Sequence, residues 1–225
     1  MPDRFLYLLL DLGAISVPFA FSFYAKAPFI KTIGRIIPAI LLPMVLFIVW
    51  DVYFTKCGIW GFNDTYLIGE RIFELPIEEW LFFICIPYAC LFTYFAFKYM
   101  KPVRSAKFHY FVWGLGLVIL AIGFLNLDRA YTATTGIGLG LFLIYLAYKR
   151  KPYLAQFFLS YLVILIPFFI INGVLTGSWI ADQVVWYNDV ENLRFRLGTI
   201  PVEDPFYGML LLLMNTVIWE EIQKA

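Results

Sequence analysis

Seven apolar runs, each close to the length of a bilayer crossing, occupy most of the chain. They cover roughly residues 5–25, 36–54, 77–97, 108–127, 130–148, 153–176 and 202–222. A membrane-spanning helix needs about 20 predominantly apolar residues. The last run is the least apolar, because its uncharged part, 205–219, is short. A soluble core does not explain these runs: 62% of the residues are hydrophobic, whereas soluble domains hold about half. The first run is also longer than the roughly 15 residues of a signal-peptide core, so it is read as the first span. The expected fold is an all-α integral membrane protein with about seven transmembrane helices.

Charge orients these helices. The three short connections after spans one, three and five carry Lys26, Lys31 and Arg35, then Lys98, Lys101, Arg104 and Lys107, then Lys149, Arg150 and Lys151, with no acid among them. Nearly all the acids fall on the other face, in the long connections 55–76 and 177–201 and around them. By the positive-inside rule the basic connections are cytoplasmic. The expected location is the cell membrane, surrounded by lipid, with the N-terminus outside and the C-terminus in the cytoplasm. A net charge of +1 gives no reason to expect a nucleic-acid partner. Cys57, Cys85 and Cys90 have neither metal-ligand nor disulfide-framework spacing.

An offset of 125 residues then relates the two ends of the chain. Asp3-Arg4 maps onto Asp128-Arg129, Asn63-Asp64 onto Asn188-Asp189, Arg71 onto Arg196, and Pro76-x-Glu78-Glu79 onto Pro201-x-Glu203-Asp204. Asp51 breaks the register, facing Thr176; a four-residue shift pairs it with Asn172. Such matches define an internal repeat. Residues 1–100 form a first three-span unit, 101–127 a linking span, and 128–225 a second three-span unit. The extra crossing restores orientation, so the two repeats run parallel and their acidic motifs converge on one face.

Paired acids after a proline suit the first turn of a helix, where they complement the dipole and serve as capping residues. A sharper reading adds chemistry. Two adjacent carboxyls beside a low-dielectric cavity resist ionising together, so one can keep a proton. A carboxylic acid facing an apolar cavity can protonate a carbon–carbon double bond, and a neighbouring carboxylate can remove a proton elsewhere. The cation formed between these steps needs aromatic faces. Trp60, Trp80, Phe82, Phe83, Trp186, Phe206 and Tyr207 flank the acids, although interfacial belts also use such residues.

The segments "FND…RIFELPIEEWLFF" and "YND…RLGTIPVEDPFY", on a tandem-repeat membrane chain, resemble the lycopene β-cyclase domain family of bacteria, archaea and fungi. The resemblance covers essentially the whole chain. The second copy departs from the first where Pro205 takes the place of Trp80 and Tyr207-Gly208 that of Phe82-Phe83. The resemblance implies a redox-neutral isomerisation of a carotenoid, in which lycopene ψ end groups close to β-ionone rings. An acid protonates the terminal double bond, the C5=C6 bond attacks the C1 cation, and C6 loses a proton. By the same resemblance Glu78 and Glu203 carry the proton traffic, with Glu79 and Asp204 as their partners or bases. Asn63, Asp64, Asn188 and Asp189 order the loops above the cavity. Asp51, Arg71, Trp80, Phe82, Phe83, Arg196, Phe206 and Tyr207 complete the substrate surroundings. No nucleotide cofactor is expected, since no strand–GxGxxG–helix unit occurs. No metal is expected either. "GIGLGL" at 136–141 lies inside a span and reads as close helix packing.

Other readings stay open at this level. A transporter would use repeats together with the intramembrane Asp11 and Asp51. A carotenoid hydratase or a prenyltransferase would form related cations, although prenyl diphosphate chemistry calls for Asp-rich magnesium sites and each long loop offers a lone Asn-Asp. His109, the one histidine, starts the fourth span outside the repeat and reads as interfacial.

Overall fold

The computed structural model describes residues 3–222; the outermost residues of the expected first and last units lie outside that range. Seven helices run through it: α1 (Leu6–Phe21), α2 (Ile33–Lys56), α3 (Ile77–Met100), α4 (Phe108–Leu125), α5 (Ala130–Tyr148), α6 (Leu154–Leu175) and α7 (Asp204–Ile222). Six of them, α1 to α6, are long and apolar enough to cross a membrane when the 3-10 turns that lead into α1 (Asp3–Phe5) and α2 (Phe29–Thr32) are counted with them. Their outward faces are apolar. On α2, Leu42, Val45 and Val49 are exposed while Ala39, Ile40, Met44 and Phe47 are buried, the division a lipid-facing helix requires.

The seventh expected span is a helix of 19 residues, yet it falls short of the apolarity of the others. Its position explains this. It packs against α2, α3, α5 and α6, so its polar residues face protein rather than lipid. Asn215 Nδ2 donates to the Ala39 carbonyl of α2 at 2.7 Å, and the Thr216 hydroxyl bonds back to Leu212. At its far end Glu220 accepts from the Tyr94 hydroxyl and pairs with Lys98. α1 also stops earlier than the expected span. Ser22 closes it, with its hydroxyl on the Phe19 carbonyl at 2.6 Å, and turns before Pro28 redirect the chain.

α4 lies along α5, where glycines let the backbones touch. A Cβ on Gly140 would stand 2.7 Å from the Leu120 backbone nitrogen, and one on Gly136 would stand 2.8 Å from the Gly123 Cα. This is the small-residue packing that membrane helices use in place of a hydrophobic driving force.

The two long connections meet at one end of the bundle. β1 (Trp60–Phe62) pairs antiparallel with β4 (Val185–Tyr187), Trp60 opposite Tyr187. Each connection then forms a two-residue hairpin just before a helix: β2 (Arg71–Ile72) with β3 (Leu75–Pro76), and β5 (Arg196–Leu197) with β6 (Ile200–Pro201). Contacts in the two loops recur at the 125-residue offset. Arg71 faces Pro76 as Arg196 faces Pro201. The Ile77 amide donates to the Glu70 carbonyl as Val202 does to Phe195, each at 3.0 Å.

Candidate active site

Each hairpin delivers its acids to the start of a helix: Glu78 and Glu79 lie in the first turn of α3, and Asp204 opens α7 with Glu203 immediately before it. Proline suits the entry because it lacks an N–H and its φ is already helical. Glu78 and Glu79 follow Pro76, and Glu203 and Asp204 follow Pro201. Neighbours on a helix point about 100° apart, so the two acids of a pair separate. Glu78 turns to its loop, where Oε1 accepts from the Ile68 amide at 2.7 Å. Glu203 does the same, accepting from the Leu193 amide at 2.8 Å and from the Thr132 hydroxyl at 2.6 Å. Glu79 and Asp204 turn the other way, into a shared cavity.

This cavity, ≈ 300 Å³, is walled by one face of each of four helices. α3 contributes Glu79, Phe82, Ile86, Cys90 and Thr93, at helical spacing over 14 residues, which extends the wall about 21 Å along the axis. Tyr7, Ala14 and Pro18 of α1 lie along it, with Ile164, Phe168 and Asn172 of α6 and Tyr207, Gly208 and Leu211 of α7. The loop pair β1 and β4 covers one end with Trp60, Phe62, Val185 and Tyr187. Three carboxyls line this covered end: Asp51, Glu79 and Asp204.

Their partners differ. Glu79 Oε2 accepts from the Tyr7 hydroxyl. Asp51 Oδ1 accepts from the Trp60 indole, while its Oδ2 has no donor and the carboxyl stands within hydrogen-bonding reach of Glu79. Asp204 accepts three bonds: from the Tyr131 hydroxyl at 2.7 Å, the Asn172 amide at 2.7 Å and the Tyr187 hydroxyl at 3.0 Å. In the overlying loop, burial and then the nearby Asp204 charge push the Tyr187 phenol well above its usual range, so it remains a donor.

The remaining residues singled out in the sequence fall into three places. Asn63 and Asn188 cap their own loops, accepting from the Thr65 amide at 3.0 Å and the Val190 amide at 3.1 Å. Asp64 pairs with Arg71, and Asp189 with Arg196 at 2.6 Å; each arginine also holds a hairpin carbonyl, Glu74 at 2.9 Å and Thr199 at 2.8 Å. Partial burial pushes the Asp189 carboxyl up, but hydrogen bonds from Arg196 and Asn192, with the charges of Arg196 and Arg194, outweigh it and hold the group below the usual carboxylate range. Trp80 donates to the Ile72 carbonyl at 3.2 Å. Phe83 is fully buried against Phe47, and Phe206 packs on the same core; neither lines the cavity. Phe82 and Tyr207 do line it, and Tyr207 meets Trp50, Trp60 and Tyr131 edge-on at 5.2, 5.8 and 6.0 Å.

Tyr7, Tyr131 and Tyr187, which hold the cavity acids, escaped the sequence reading. One signal was available for Tyr187: at the 125-residue offset it replaces Phe62, adding a hydroxyl beside Asp204. Asn172, the residue the shifted register pairs with Asp51, bonds Asp204 while Asp51 stands against Glu79.

Comparison with known proteins adds a further finding. A family model described as lycopene cyclase matches residues 4–97 and 128–222. A curated relative, the bifunctional lycopene cyclase/phytoene synthase of Colletotrichum graminicola, is 23% identical over 99 residues. That match covers 44% of this chain but 16% of the relative's length. No solved structure matches significantly.

Proposed function

The chain belongs to the lycopene cyclase family, and from this membership and the cavity we propose that it is a membrane-embedded lycopene β-cyclase, closing ψ end groups to β-ionone rings with no net redox change. The observation that carries the reading is the meeting of Glu79 and Asp51 with Asp204, contributed from both halves of the chain, in one apolar and aromatic cavity.

Ring closure needs a proton delivered to an alkene, shelter for a carbocation, and removal of a proton from carbon. Carboxyls can do the first and last at the same site. The aromatic rings of Trp60 and Tyr207 offer negative faces to a cation without attacking it. The loop pair above them keeps bulk water from the covered end, which matters because water would capture the cation as an alcohol. A cavity of ≈ 300 Å³ is at the small end for ligand sites, which run from about 300 to 1,000 Å³. It suits one end group of a carotenoid, with the polyene lying along α3, so the two ends would be processed in turn. In this reading Glu78, Glu203 and the Asp–Arg pairs hold the loops over the cavity rather than touching the substrate.

Expression in lycopene-accumulating bacterial cells, with pigments separated by HPLC, tests the proposal. Monocyclic and then bicyclic carotene should replace lycopene. Unchanged lycopene beside well-expressed protein in the membrane would contradict it.

A further inference from the structure

The two halves meet at the cavity with unequal sets of partners. On the first half, Glu79 and Asp51 both line the cavity, and Asp11 is buried on α1. Glu79 has one donor, Tyr7. Asp51 has the Trp60 indole, with the Thr55 hydroxyl nearby. Asp11, one helical turn from Tyr7 on α1, is 1% exposed, and neither of its oxygens has a partner. On the second half, Asp204 alone receives three donors, two tyrosine hydroxyls and an amide. Among the described residues, no lysine or arginine forms an ion pair with any of these four acids.

Partner supply decides protonation in such a setting. A carboxylate that accepts several hydrogen bonds is satisfied in its charged form. Carboxyls that contact each other without enough donors are satisfied only by sharing protons, because a buried charge left unpaired is strongly disfavoured. The geometry therefore points to a division of labour: we propose that the Glu79–Asp51 pair donates the initiating proton and that Asp204 is the base that ends the reaction. The assignment rests on the cyclase reading given above.

The steps balance. The Glu79 carboxyl proton adds to C2 of the terminal C1=C2 bond, whose electron pair becomes the new C–H bond and leaves C1 cationic. The C5=C6 pair forms the C1–C6 bond and moves the charge to C5. Asp204 takes the C6 proton, and the C6–H pair restores C5=C6. One proton has passed from the Glu79 side to Asp204, and exchange of both groups with solvent protons between turnovers resets the site.

Donor and base predict different failures, which product analysis separates. Glu79→Gln should lower lycopene consumption at least about 100-fold, the usual scale for a lost general acid, and should form no ring of any kind. Asp204→Asn should still consume lycopene, because the cation forms, but the C5 cation must then lose a proton from another carbon or take up water. Its products should carry displaced ring double bonds or a hydroxyl, identified by HPLC with mass spectrometry and NMR. Membrane levels are compared throughout. Loss of consumption in Asp204→Asn as complete as in Glu79→Gln, at wild-type protein level, overturns the assignment, as do displaced-bond products from Glu79→Gln. If Asp204→Asn fails to accumulate, Tyr187→Phe decides, since Phe62 already occupies the matching place in the first loop: mixed ring isomers sustain the assignment and β-rings alone overturn it. A wild type that leaves lycopene untouched removes the cyclase reading itself, a result distinct from any variant outcome.

Discussion

Glu78 and Glu79 are adjacent, both buried and both in the same acidic motif, yet the account gives them different work, so Glu78→Gln is a demanding test. Glu78 Oε1 accepts the Ile68 amide at 2.7 Å, and Oε2 has no partner. Glutamine can keep the accepting oxygen, so the bond to the Ile68 amide survives with a change of about 1 kcal/mol or less, the scale of a hydrogen bond's net contribution. The new amide N–H₂ replaces an oxygen that had no donor, which adds a desolvation cost of about 1 kcal/mol if it finds no acceptor. The expected result is a loss of about 1–2 kcal/mol in stability, read as a lower midpoint in a thermal-aggregation assay of detergent-solubilised membranes. Lycopene conversion per folded molecule should stay within about tenfold of wild type, because no proton-transfer group has been removed. Glu203→Gln, which keeps bonds to Leu193 and Thr132, should behave alike. If Glu78→Gln at wild-type membrane level abolishes conversion as fully as Glu79→Gln, the separation of the two faces is wrong and the loop-side acids take part in the chemistry.

Packing and loop electrostatics give further checks. Gly140→Val should lower thermal stability by about 1–3 kcal/mol, the range for overpacking, because its Cβ would meet the Leu120 backbone at 2.7 Å; a midpoint unchanged from wild type would contradict the α4–α5 contact. Asn215→Ala, which leaves the Ala39 carbonyl without its donor, should cost about 1–3 kcal/mol, measured in the same assay. Asp189 is held below its ordinary 3.8 in the folded chain, so its contribution is fully present above that value and is lost as pH falls through the lower folded value. Hydrogen-exchange protection factors in the second hairpin, corrected for the intrinsic pH dependence of exchange, should therefore be unchanged between pH 7 and 5 and fall only below about pH 4, and Asp189→Asn should remove that acid step.

Much of this architecture is readable in the chain because its causes are local and cumulative. Each crossing helix must be apolar along its whole length, and the offset of 125 carries hairpin residues such as Arg71 and Arg196 into the same contacts. α7 was harder to read, since a helix enclosed by protein needs less apolarity and can carry Asn215 and Thr216 toward its neighbours. The candidate site was visible as two acidic motifs but not as a geometry. Spacing alone does not say which of Glu78 and Glu79 faces inward; that depends on the rotation fixed by the Arg71–Pro76 hairpin. Tyr7 and Tyr131 sit inside apolar runs where any aromatic is unremarkable, and only tertiary packing brings their hydroxyls to Glu79 and Asp204. Asp11 is legible in the sequence as an intramembrane acid, but its lack of partners is a property of the fold.

Ring closure started by a proton from a carboxyl leaves an isotopic record, and that record is the most direct test of the account. Membranes containing the protein are incubated with lycopene in D₂O, and the carotenes are analysed by mass spectrometry and NMR. The products should be isomeric with lycopene apart from a single deuterium at C2 of every ring formed. Products that have lost hydrogen, gained the elements of water in the wild type, or closed without deuterium at C2 would contradict it.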